Sequence, residues 1–233
     1  MKKDDIDLRT EQLLATTPHG IWPDGMPSPL WPELVLVGIS PGNSPAKSDF
    51  VWSPGSNLGP NAHEHFKYPD GAGYWRKVRE MAHTYFRRID PAMTEDDALK
   101  RTAHLNAGTG KQGQSNGDTV EAEYVQWIAR LLNETFQPRA TIFLGYVGYL
   151  NPKGKGKIFR PAWDNAQGLA VNWSAPNQCI PMEGSRYKFR QWLCKNPDGH
   201  SIEVTIWPNH PSRLKGQRWA SALQAFSNIP PLA

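Results

Sequence analysis

The polar residues of this sequence that could do chemistry gather where apolar runs end. Leu34 to Asn43 (LVLVGISPGN) is apolar up to Gly38 and then gives way to a turn holding Ser40, Pro41, Gly42 and Asn43. Ile206 to Leu214 (IWPNHPSRL) has the same form, with Asn209 and His210 following the apolar end. Asn106 closes the weaker run from Arg101, and Gly145 and Tyr146 close Thr141 to Leu144. A glycine-bearing turn at the carboxyl end of a strand lets backbone N–H groups approach a ligand closely, and open α/β sheets bind their ligands there. Convergence of these ends on one sheet edge would make an active site.

The elements that must position them follow from periodicity. Leu34 to Val37 are consecutive β-capable apolar residues without polar alternation, which suits a strand covered on both faces. Arg101 to Asn106, Thr141 to Leu144 and Glu203 to Trp207 supply three further strands. Tyr74 to Arg87 carries Trp75, Val78, Met81, Ala82, Tyr85 and Phe86 at helical spacing, and Glu121 to Phe136 repeats that pattern. Ser185 to Lys195 and Ser212 to Phe226 are expected as helices, and Ile6 to Ala15 as a short amphipathic one. Between them lie two long polar stretches, Asn43 to Gly73 and Asn151 to Pro181, the second without a clear period. Strand alternating with helix predicts a mostly parallel sheet with helices on both faces.

With 233 residues and no obvious linker, one domain over 1–233 is expected, large enough to bury a substantial core. The formal net charge of +4 is compatible with a polyanionic partner without requiring one. Cys179 and Cys194 are too few for an iron–sulfur cluster or an all-cysteine zinc site, so no metal or other cofactor is expected. The amino-terminal stretch has no apolar signal region, and no apolar run approaches the roughly 20 residues that span a bilayer. A cytoplasmic monomer is the expectation.

Two of these turns carry a resemblance. Gly38 to Gly42 (GISPG) resembles the first motif of the uracil-DNA glycosylase superfamily, particularly the G-I-N-P-G form of its mismatch-specific branch. Asn209 to Leu214 (NHPSRL) resembles the second motif, H-P-S-P-L. Between them, Tyr74 to Lys77 (YWRK) resembles the F-W-K of the helix after the first loop, and Leu105 to Ala107 (LNA) the strand-end asparagine that reads the base. The resemblance implies a three-layer α/β/α sandwich with a central four-stranded parallel sheet. It also implies a DNA partner and hydrolysis of the bond between a flipped pyrimidine and its deoxyribose.

The same resemblance assigns roles. His210 and Asn106 would donate to the base as negative charge develops on it, and Phe50, or Trp52, would stack on the flipped ring. Ser212, Arg213 and Leu214 would pinch a phosphate and wedge into the gap left by the base, with Lys215 and Arg218 on nearby phosphates. The chain departs from the superfamily at Ser40, where Asp or Asn usually activates water. A serine hydroxyl is a poor base at neutral pH. Either Ser40 only orients the water or Asp49 takes over as base, and Asn43 is a further water ligand.

Three functions fit these residues: a monofunctional DNA glycosylase, a non-enzymatic nucleic-acid binder of the same fold, and a different hydrolase acting on free nucleosides. The glycosylase could serve repair of uracil and mismatches or attack on the modified cytosines of phage DNA. Gly42 bears on the choice, because the uracil-specific branch has a tyrosine there that excludes substituents at carbon 5 by collision. Without that side chain the clash is absent, and 5-substituted pyrimidines should be admitted.

Overall fold

In the computed structural model, strand β1 (Leu34–Gly38) is buried at every position. The structure describes residues 32–38, 74–107, 122–145, 156–166, 170–182, 185–186, 188–196 and 198–232, the side chains of Trp75 and Asn106 excepted. β1 lies between two parallel neighbours, β2 (Thr102–Asn106) and β3 (Ala140–Leu144). β3 in turn pairs in parallel with β6 (Ser201–Trp207). These are the four strands expected from the sequence, and burial on both faces explains why they read as apolar runs.

The sheet does not stop there. β5 (Lys188–Lys195) adds antiparallel to β6, and β4 (Gln178–Pro181) antiparallel to β5, giving a six-stranded mixed sheet in the order β2-β1-β3-β6-β5-β4. The expected four-stranded parallel sheet is therefore corrected to a mixed one. The helix expected over Ser185 to Lys195 is likewise replaced by β5. Phe189, Trp192 and Leu193 stand at helical spacing, but they equally suit a two-sided strand, with Phe189 in one core cluster and Trp192 in the other. Pairing along β6 decides between the two, and contacts between Asn196 and His200 join the strands. The backbone N–H of Asn196 donates to His200 O at 2.9 Å, its side chain accepts from His200 N at 2.7 Å, and Gly199 takes φ 83. A hairpin this tight returns the chain directly alongside β6.

Helices cover both faces. On one side α1 (Tyr74–Arg87), α2 (Glu95–Lys100) and α5 (Gln217–Ser227) bring Val78, Met81, Leu99 and Phe226 against Leu34, Leu36, Ile142 and Leu144. On the other, α3 (Ala122–Arg130) and α4 (Gly156–Asn165) pack Val125, Ile128, Phe159 and Trp163 against Val35, Val37, Leu105 and Phe143. The helix expected over Glu121 to Phe136 is α3, continuing as a π-helical turn over Leu131–Phe136. α4 and β4 occupy part of the stretch that showed no period in the sequence. Among the described residues no helix is long and apolar enough to cross a membrane.

Under α1 and α5 the sheet buries an ion pair. Arg88 Nη1 lies 3.5 Å from Glu203 Oε1, with both side chains 2% exposed. The same carboxylate accepts from Gln191 Nε2 at 3.0 Å and from Leu232 N at 3.1 Å, while Arg88 Nε donates to Ile229 O at 2.8 Å. The guanidinium also stacks over Phe226 at 4.8 Å. This network fastens α1, β5, β6 and the carboxyl-terminal segment together.

Candidate functional site

The parallel ladder brings the polar strand ends to one edge. Gly38 is in register with Asn106, and Ala107 N donates to Gly38 O at 2.9 Å, so the first residue of the first motif lies beside the LNA segment. β3 ends at Leu144, just before Gly145, and β6 at Trp207, with Leu144 and Trp207 in register. Gly145 has φ +120, and a Cβ there would stand 3.3 Å from His210 N. Only glycine combines that dihedral with so close an approach. The end of β3 thus sits against the backbone of His210.

After β6 the chain turns through Asn209 and His210 into a single 3-10 turn, Pro211–Arg213. Asn209 Nδ2 donates to Ser185 Oγ at 2.9 Å. His210 Nδ1 lies 2.7 Å from Ser212 Oγ and accepts from the backbone N–H of Ser212 at 3.3 Å. The tautomer that leaves Nδ1 as an acceptor and carries its hydrogen on Nε2 suits both contacts, since an N–H can only donate and a hydroxyl can do either. In that tautomer His210 offers an Nε2–H donor at the sheet edge.

Helix α1 supports this turn from below. Lys77 is 5% exposed, and its Nζ donates to Pro211 O at 2.9 Å and also to Leu214 O. It stands 5.5 Å from the Trp219 ring centroid. Burial pushes the Lys77 pKa below the usual lysine value, Arg76 and Lys215 act in the same direction, and Glu80 opposes them. A lysine this enclosed is a structural clamp on the turn. Lys77→Met takes the donor from two carbonyls, each costing about 1–3 kcal/mol if left unsatisfied. Stability in urea is expected to fall by about 2–4 kcal/mol, and a loss below about 0.5 kcal/mol would show that Lys77 does not hold the turn.

One turn earlier on the same helix, Tyr74 stacks on His210 with ring centroids 5.4 Å apart and an interplanar angle of 3°. Its hydroxyl is hydrogen-bonded to His104 Nε2 at 2.8 Å, and His104 is a β2 residue only 1% exposed. Neither contact was foreseen from the sequence. The only signal there is a histidine set between the apolar Ala103 and Leu105 of a strand.

Ser212, Arg213, Lys215 and Arg218 are all exposed, so the turn and the first turn of α5 present three cations to solvent. Ser212 is not the N-cap of α5, a position held by Gly216 at φ 49. Leu214 differs from expectation: it is 4% exposed and belongs to the cluster under α1 and α5. In this conformation its side chain is core, and wedging into DNA would require it to leave that packing. Ser40, Gly42, Asn43, Asp49, Phe50 and Trp52 lie outside the described residues, as does the side chain of Asn106. Among the described residues no group of three or more His, Cys, Asp or Glu side chains is placed to hold a metal ion.

Compared with protein-family models, curated proteins and solved structures, the chain finds no match.

Proposed function

We propose that the protein is a monofunctional DNA glycosylase. The observation that carries this reading is His210, whose Nδ1 is held by Ser212 so that Nε2 serves as the donor nitrogen, at the carboxyl end of the parallel strands and beside an exposed cationic turn. In glycosidic hydrolysis the C1′–N bond breaks with its electron pair passing to the departing base. Water oxygen bonds to C1′, and its proton is lost to a base or to solvent. Negative charge grows on the oxygens of the base, where a fixed N–H donor is worth most. Ser40 or Asp49 would handle the water, Phe50 would stack on the flipped ring, and Gly42, Asn43 and Asn106 would line its pocket. Arg213, Lys215 and Arg218 with Ser212 would grip phosphates, which supply most of the sequence-independent affinity for DNA.

The absence of a side chain at Gly42 favours pyrimidines with a substituent at carbon 5, including the bulky modified cytosines of phage DNA, and thus a role in defence. Matched oligonucleotides carrying uracil, thymine, 5-hydroxymethylcytosine or its glucosylated form test both parts. Strand breaks that appear only after alkali, fastest with a substituted base, are the expected result. Faster release of plain uracil would turn the preference toward repair, and DNA binding without breaks on any substrate would overturn the enzymatic reading.

A further inference from the structure

We infer that Tyr74, anchored by His104, is the positioning residue that fixes the plane of the His210 ring. The inference deepens the proposed function and, for its catalytic consequence, rests on that reading. Ser212 holds one edge of the imidazole through Nδ1. The parallel Tyr74 ring holds it from the face: at 3° and 5.4 Å the two rings are offset-stacked, an arrangement lost on tilting.

Tyr74 could not serve as a wall if it moved itself. Its hydroxyl is therefore the second half of the device, since the 2.8 Å bond to His104 ties the far end of the ring to β2. His104 is buried at 1% exposure in a strand whose register with β1 is fixed by five paired residues, so this anchor is as rigid as the sheet. The edge of His104 also meets the Tyr74 ring at 82° and 5.8 Å. A continuous line of rings thus runs from β2, through the first residue of α1, to the turn after β6. The direction of the His210 N–H is set by this line as much as by its own turn.

The experiment compares wild type, Tyr74→Phe and Tyr74→Leu by nitrogen-15 NMR of the histidine rings and by single-turnover release of the base. In wild type His210 is expected to show one nitrogen without a proton and one carrying it. Tyr74→Leu is expected to draw these two signals toward an average and to slow release 10- to 100-fold, with DNA affinity changed less than about threefold. Tyr74→Phe removes one oxygen atom, keeps the helix intact, and should move both readouts part of the way. His210 signals unchanged in both variants would overturn the inference whatever reaction the protein catalyses. Averaged signals with an unchanged release rate would overturn the catalytic consequence. Failure of wild type to release any base would count against the glycosylase reading alone, because the NMR comparison needs no substrate.

Discussion

His210→Ala is expected, on the proposed glycosylase reading, to lower single-turnover release of the base by about 10²- to 10³-fold, the loss typical of removing one preorganised donor at a developing negative charge. The melting transition should move little, by less than about 1 kcal/mol, because the side chain is only half-buried. Ser212→Ala is the informative companion. It removes the hydroxyl but keeps the backbone N–H that donates to Nδ1, so its effect should stay within about tenfold. Single-turnover assays on the preferred substrate measure both. An unaltered rate for His210→Ala would remove the donor from the mechanism and with it the main support for the proposed function.

Glu203→Ala is the substitution expected to damage the fold most. It leaves the Arg88 guanidinium, 2% exposed, without its counter-charge, and it also strips acceptors from Gln191 Nε2 and from the backbone N–H of Leu232. Breaking a buried pair from one side costs about 3–5 kcal/mol, far more than the pair itself is worth. The urea midpoint should fall accordingly. Replacing both partners together, as Arg88→Met with Glu203→Met, should cost less than the single change, since no uncompensated charge remains. A loss under about 1 kcal/mol for Glu203→Ala would mean that water reaches the pair readily and that the network does not fasten the carboxyl-terminal segment.

Much of this architecture is written locally in the chain. The apolar runs of β1, β3 and β6 and the amphipathic period of α1 are properties of a few consecutive residues, because burial on both faces or on one stripe dictates composition directly. The polar residues at the strand ends are legible for the same reason: each apolar run stops where the sheet does. From these alone followed an α/β sheet with helices on both faces and a polar edge bearing His210.

Tertiary structure decided what depends on partners distant in sequence. Phe189, Trp192 and Leu193 satisfy a helix and a two-sided strand equally well, and only pairing along β6 makes them β5. The amphipathic pattern of α1 gives no reason to bury Lys77, and what buries it are carbonyls more than 130 positions away at Pro211 and Leu214. Leu214 resembles a surface wedge by motif, yet the space between α1 and α5 takes it into the core. Tyr74 meets His104 and His210 only because parallel crossovers bring β2, α1 and β6 to one edge. Periodicity reports which way a side chain faces, but the identity of what it faces is fixed only when the sheet is assembled.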